Sequence, residues 1–344
     1  MLTDKQVAFL RAELASAKNP LFFYDGDADG LTSFLLLYRL HREGKGIALS
    51  TTSTLSEPFL RKVEELNPDK IFILDIPLVT QEFLDQANRP VFWLDHHPPQ
   101  DRTKVHYFNP RLADPHAYIP TSRMCWQISQ REGDLWIATA GSLADWHMPD
   151  FIDQFIAEYP DFLPEKSDLT TTVFKQPVGK LVKFFFFIQK GPSSEVRKSV
   201  KILSQINSPY EIFKQETATG KFLFKRYFTV NQKYQEALIK AKTAITQSRL
   251  ILYTYTENEW SFTVNLANEL VALYPDRFVI IARKKGEEMK CSLRGKNVLG
   301  ILEKALVGIS GSGGGHDDAC GAVIKEVDWE QFLRNFKEGV HSLP

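Results

Sequence analysis

Three apolar runs in the first hundred residues each end on an aspartate: LFFYD at 21–25, KIFILD at 70–75 and PVFWLD at 90–95. None alternates polar with apolar residues, so each predicts a strand buried on both faces, as in a parallel sheet covered by helices. Gly46 opens another such segment (46–50). Helical patterns separate or follow these runs: Phe34 to Leu37 with Leu40, then 57–66, 80–86 and 122–131. Strands interleaved with helices indicate an α/β fold. In open sheets of that class ligands bind at the carboxyl ends of the strands, where these aspartates fall.

The first run continues as Asp25-Gly-Asp27-Ala-Asp29-Gly30, with carboxylates at alternate positions. Anions so close repel one another, and a hard divalent cation such as Mn²⁺ or Mg²⁺ relieves the repulsion through carboxylate oxygens. A calcium loop of the EF-hand type needs a bidentate Glu at its twelfth position. Counting from Asp25 that position is Leu36, which argues against it. Further ligands follow at Asp75, at Asp95-His96-His97, and at Asp145, which ends the apolar stretch Ala140-Gly-Ser-Leu-Ala. Together they suffice for two adjacent cations. Two-metal sites, with ions about 3.5–4 Å apart, hold the attacking and leaving oxygens of an in-line phosphoryl displacement. Imidazole favours Mn²⁺ over Mg²⁺. The other histidines (His41, His106, His116, His147, His341) read as ordinary core or surface residues, His147 lying nearest the motif.

The order of these elements resembles the DHH phosphoesterase superfamily, named for the triplet here at Asp95-His96-His97. Asp27-Ala-Asp29-Gly30 resembles its first motif, Asp75 its second, the triplet its third and Asp145 its fourth. The resemblance implies two Mn²⁺, with Mg²⁺ or Co²⁺ as substitutes. Asp27 and Asp75 would hold one ion, joined by Asp25, which stands where RecJ-type members carry an aspartate. Asp29, Asp75, His96 and Asp145 would hold the other, with Asp75 bridging. Asp95 and His97 belong to the implied catalytic set, His97 facing the substrate phosphate. The later part of the chain resembles the DHH-associated substrate domain. There Gly313-Gly314-Gly315-His316, in a loop over 308–316, and Arg294 at a strand end would bind phosphate oxygens, and Arg294 and His316 would also serve catalysis. Backbone N–H groups of small residues close around anions, and a guanidinium fork matches a phosphate.

These readings divide the chain into a catalytic metal-binding α/β domain (1–150), a helical basic connector (151–247) and a smaller α/β substrate-binding domain (248–344). The charge is unevenly spread: residues 175–240 hold 13 Lys/Arg against 4 Asp/Glu, whereas residues 1–174 hold 16 against 25. A basic stretch beside an acidic domain suits a polyanion track. Aromatics there (Phe184 to Phe187, Phe222, Phe224, Tyr227, Phe228, Tyr234) can stack bases, although aromatic side chains mostly serve burial. A long helix is expected over 231–247 and strands over 249–255, 277–282 and 289–294.

The function implied by the family resemblance is Mn²⁺-dependent, exonucleolytic hydrolysis of single-stranded DNA or RNA, or of short oligonucleotides. Alternatives within the superfamily are a nanoRNase, a pAp or cyclic-dinucleotide phosphodiesterase and an exopolyphosphatase. A non-catalytic replication-associated scaffold is a different class, disfavoured because every motif ligand is present. Replication or repair proteins are possible partners. No signal peptide or membrane span is read. Three scattered cysteines (Cys125, Cys291, Cys320) suit a reducing cytoplasm.

Overall fold

The computed structural model describes residues 1–49, 54–256 and 260–342. Ser50, expected to end the second strand, lies outside them. Two compact units result, Met1–Tyr227 and Phe228–Pro344. The stretch 151–247, read as a connector, is thus shared between them.

The first unit carries strands β1 (Leu21–Asp25), β2 (Lys45–Leu49), β3 (Thr54–Leu55), β4 (Ile71–Leu74), β5 (Leu78–Val79), β6 (Val91–Leu94) and β7 (His106–Phe108). Its main sheet is parallel throughout, in the order β2-β1-β4-β6-β7. Both faces are buried, as the unbroken apolar runs require. On one face Phe22, Phe72 and Phe92 share a register level and stack at 5.3 and 5.1 Å. Phe23, Ile73 and Trp93 pack into the core of the other. The last ladder level pairs Tyr24 with Leu74, Leu74 with Leu94 and Leu94 with Phe108. The next residue of each strand is therefore Asp25, Asp75, Asp95 or Asn109, side by side at the carboxyl edge.

Helices of this unit are α1 (Asp4–Ser16), α2 (Ala28–His41), α3 (Leu60–Leu66), α4 (Gln81–Gln86), α5 (Thr121–Ser129), α6 (Leu135–Ala144), α7 (Ile152–Glu158), α8 (Leu169–Lys175), α9 (Val178–Phe187), α10 (Ser193–Leu203) and α11 (Pro209–Phe213). The division between the units falls within α12 (Ala218–Thr243), a 26-residue helix that begins 13 positions before the expected start at 231. Helix α2 carries a fully buried Arg39, which pairs with Asp134 at 2.8 Å and donates to Ser204 O (2.9 Å) and Ile206 O (2.6 Å). That ion pair ties α2 to the helical layer.

Burial, the commoner role of aromatic side chains, accounts for most of those in the basic stretch. Phe184, Phe185 and Phe187 are fully buried, and Tyr227 and Tyr234 nearly so. Lys198 lies over the Phe222 ring at 4.8 Å. Arg226 donates to Glu195 Oε2 and the Lys190 carbonyl, so it serves the fold.

The second unit holds β8 (Leu250–Thr256), β9 (Phe278–Lys285), β10 (Glu288–Arg294), β11 (Gly311–His316) and β12 (Ala319–Lys325), with α13 (Thr263–Leu273), α14 (Val298–Ala305) and α15 (Trp329–His341). Its mixed sheet runs β11-β12-β10-β9-β8, with β8 and β9 parallel and the remaining pairs antiparallel. Leu293, Ile324, Leu302, Phe332 and Phe336 form its core under α14 and α15.

The expected glycine loop over 308–316 is in fact an edge strand from Gly311 onward, paired with β12. Close packing explains most of its glycines. A Cβ on Gly315 (φ +148°) would stand 2.3 Å from Ala319 O, and one on Gly313 2.9 Å from Gly321 O. All three cysteines are free and buried. No helix among the described residues is long and apolar enough to cross a membrane.

Candidate metal centre

Turn chemistry at the ends of the strands aims the first motif. Asp27 caps α2 by accepting from Gly30 N–H at 2.9 Å, and Asp25 accepts from Gly26 N–H at 2.8 Å. Gly30 is obligatory here, because a Cβ would stand 2.4 Å from Asp25 O. Asp29, buried in the first turn of α2, accepts from the first two N–H groups of α5, Thr121 (2.8 Å) and Ser122 (3.0 Å). A carboxylate at a helix N-terminus satisfies donors that have no partner within the helix. Asp75 leaves β4 with φ +62°, a left-handed conformation that aspartate tolerates better than most residues, and accepts from Thr121 Oγ1 at 3.2 Å.

Three groups of side chains offer ligand atoms within 4.8 Å of one another: Asp25/Asp27/Asp75, Asp29/His96/Asp145 and Asp75/His96/His97. His96 Nε2 lies 3.3 Å from Asp75 Oδ1 and 3.5 Å from Asp145 Oδ2. His97 Nδ1 lies 2.7 Å from Asp95 Oδ1, and Tyr107 Oη (3.3 Å) and Asn109 Nδ2 (3.4 Å) donate to the other oxygen of Asp95. Asp95 therefore orients His97 and stands outside the three groups.

Burial and crowding push the carboxyl pKa values up. Burial, then Asp27, raises Asp25 to about 8. The same two causes raise Asp29 to about 6, against the pull of the α5 N–H groups. Asp27 rises through burial, and Asp75 and Asp145 rise well above the carboxylate range through burial and then the charge of Asp29. Burial opposes the charge on His97, but Asp95, Asp27 and Asp25 outweigh it and raise that pKa. So many stacked anions call for cations, and a set of carboxylates with one or two imidazoles fits Mn²⁺.

Sequence reasoning did not find several contributors. Tyr118 Oη lies 2.9 Å from Asp145 O and 3.0 Å from Asp145 Oδ2, and its ring meets His96 edge-on at 5.5 Å. Gln189 donates to Asp27 O at 2.5 Å and to Phe185 O at 3.1 Å. Neither lies in a motif. The only local signals were Pro120, which sets the start of α5, and Asn109-Pro110 after β7. His147 belongs to no metal-capable group among the described residues.

Arg294, Gly313, Gly314, Gly315 and His316 belong to the second unit. Arg294 ends β10, where its Nε donates to Asn268 Oδ1 (2.7 Å) and its Nη1 to Leu293 O (2.7 Å) and Cys320 O (3.2 Å). Burial lowers its pKa to about 10. Gly313 to His316 lie exposed on the edge strand.

Residues 251–342 match the model of the DHHA1 domain. Among solved structures, RecJ from Thermus thermophilus in complex with Mn²⁺ is similar at 16% identity and a TM-score of 0.69, over 99% of this chain and 55% of that one. This chain thus spans about half of that protein. An exonuclease RecJ bound to manganese is similar at 17% identity and a TM-score of 0.64, over 99% and 94% of the two chains. CDC45 from Entamoeba histolytica is similar at 10% identity and a TM-score of 0.56, over 98% of each. No curated protein matches the chain. The later part of the chain is thus a DHHA1 domain, and the chain as a whole has the fold of the RecJ structures.

Proposed function

We propose that this protein is a Mn²⁺-dependent phosphodiester hydrolase that acts exonucleolytically on single-stranded nucleic acid or short oligonucleotides. The observation that carries the proposal is the set of overlapping ligand groups at one sheet edge, with Asp75 common to Asp25/Asp27/Asp75 and Asp75/His96/His97. In this reading Asp25, Asp27 and Asp75 hold one cation, and Asp29, Asp75, His96 and Asp145 hold the second. A bound pair of divalent ions supplies electrophilic stabilisation of the attacking and leaving oxygens. The protein's own part is positional. Thr121 Oγ1 and the α5 N–H groups fix Asp75 and Asp29, Tyr118 fixes Asp145, and Asp95 holds His97 so that Nε2 faces a phosphate oxygen. Two of the similar structures are RecJ proteins with manganese, which supports both substrate type and metal. In the second unit, Arg294 Nη2, which has no partner among the described residues, is the group we assign to phosphate binding, with His316 and the backbone of Gly313 to Gly315.

The test is digestion of end-labelled single-stranded DNA and RNA of graded length, with dinucleotides, cyclic dinucleotides and polyphosphate alongside, in Mn²⁺, Mg²⁺, Co²⁺ or EDTA. Mn²⁺-dependent release of nucleotides from a strand end, abolished by Asp75→Ala, is expected. Full turnover by Asp75→Ala would end the two-metal reading. Exclusive cleavage of polyphosphate would replace the substrate, and a wild-type protein inert on every substrate would favour a scaffold.

A further inference from the structure

A concavity of about 550 Å³ lies wholly within the second unit between α12 and edge strand β8. That is within the size range of small-ligand sites, roughly 300–1,000 Å³. Its walls combine Tyr253, Tyr255 and Trp260 with Lys233 and Lys240. Tyr253 and Tyr255 are two residues apart on one strand, so they share a face. Their rings lie nearly parallel, 17° apart in plane and 5.8 Å between centroids. Tyr255 Oη is held by accepting from Phe262 N–H at 3.0 Å, which fixes that wall.

Two polar groups here are uncommitted. Trp260 Nε1 is buried with no hydrogen-bond partner among the described residues. A buried N–H of that kind costs free energy until an acceptor arrives. Lys240 is exposed on α12 and has no ion pair among the described residues, whereas Lys233 stands 3.7 Å from Glu236. Aromatic faces, an indole N–H without a partner among the described residues and an unpaired ammonium are the complement of a base joined to a phosphate. The pocket is separate from the Arg294 region. Tyr255 pairs with Arg283 and Arg283 with Lys290, four residues from Arg294 and so about 13 Å away along the strand.

We propose that this pocket is a nucleotide subsite: the Tyr253–Tyr255 wall stacks a base, Trp260 Nε1–H donates to an acceptor on it, and Lys240 Nζ meets a phosphate. The proposal deepens the hydrolase reading by naming where the second unit grips a strand, and it is tested without turnover, so the two can fail separately.

The experiment titrates the full chain in EDTA with fluorescein-labelled dodecathymidylate, read by anisotropy, and with the unlabelled strand and thymidine monophosphate, each read by tryptophan quenching. Tyr253→Ala should weaken strand binding about five- to hundredfold, the loss of one base–aromatic stack, while Tyr253→Phe keeps it. Lys240→Ala, an exposed position that does not threaten folding, should make the log–log salt slope shallower by about 0.7. Trp260→Phe should remove the quench. Lys337→Ala, at an exposed position of α15 outside the pocket lining, should bind like wild type. Quenching by the monophosphate places a free nucleotide in the pocket, and quenching by the strand alone places a nucleotide within a chain; both support the subsite. Wild-type affinity and salt slope in Lys240→Ala together with wild-type affinity in Tyr253→Ala would overturn it. An equal loss in Lys337→Ala would overturn it too, by reducing the effect to diffuse charge. Intact binding in EDTA with no hydrolysis in Mn²⁺ would sink the hydrolase reading and leave the subsite standing.

Discussion

Asp75 concentrates the opposing demands on this protein. It sits buried among like charges with a left-handed backbone, an arrangement that suits a cation and works against the empty fold. Asp75→Asn keeps an acceptor for Thr121 Oγ1 and tolerates the same φ, yet removes one anion. In EDTA the variant should therefore be more stable than wild type by about 0.5–2 kcal/mol, the usual size of a relieved functional-site cost. Its melt should rise roughly 1–8 °C. In Mn²⁺ the order should reverse, because only the wild type gains from the ion; a wild type that melts higher in both conditions would contradict the strain argument. Tyr118 is the subtler case. Tyr118→Phe keeps the half-exposed ring and deletes only the donor to Asp145. Outer partners of metal ligands typically contribute about 10- to 100-fold in affinity, so calorimetric Mn²⁺ binding should weaken about tenfold with little change in melting in EDTA.

Among the elements, β11 and α2 each make a contrast that can be measured. If the glycines of β11 are there for close pairing, Gly315→Ala should loosen the strand, since its Cβ would meet Ala319 O at 2.3 Å with φ +148°. Gly314→Ala should leave stability unchanged, because nothing lies within 4 Å of its Cβ. Hydrogen exchange across 311–325 distinguishes the two, and equal protection in both variants would remove packing as the reason for the glycines. Helix α2 depends on Arg39. Arg39→Ala strands Asp134 and the carbonyls of Ser204 and Ile206, a loss of about 3–5 kcal/mol when one partner of a buried pair is removed. The lower end is expected, as Arg131 still reaches Asp134 at 2.6 Å. The shift of the urea midpoint checks it.

Over the whole molecule, a ligand that binds only the folded state stabilises it by about 2.7 kcal/mol at a hundred times its dissociation constant. Mn²⁺ should therefore raise the melt, and hydrogen exchange should slow around 25–30, 71–75, 94–97, 118–122 and 145 while β8 to β12 are unaffected. Protection confined to the second unit would misplace the metal centre. The sheet was legible in sequence because a strand buried on both faces has an unmistakable composition, and its terminal carboxylates were legible because nothing else justifies an ion there. Tyr118, Thr121, Asn109 and Gln189 were not, since their roles depend on which residues the fold brings beside them. Glycine misled in β11 because the same lack of a side chain that allows turns also allows close strand approach. The phenylalanines of α9 went to the core, as aromatic side chains mostly do, despite the basic stretch around them.

At the carboxyl edge, Asp25, Asp75, Asp95 and Asn109 each follow directly on the last paired level of four neighbouring strands. The level they follow is spaced by the interstrand repeat, about 4.8 Å, which every peptide sets alike. The ruler is written in backbone, and the connecting loops hold no share of it. Loops can lengthen, shorten or change sequence and leave the spacing of these side chains intact, whereas one residue inserted within β4 would turn Asp75 to the other face. A chain built on such a ruler can drift to 16% identity with a counterpart and still keep the same fold.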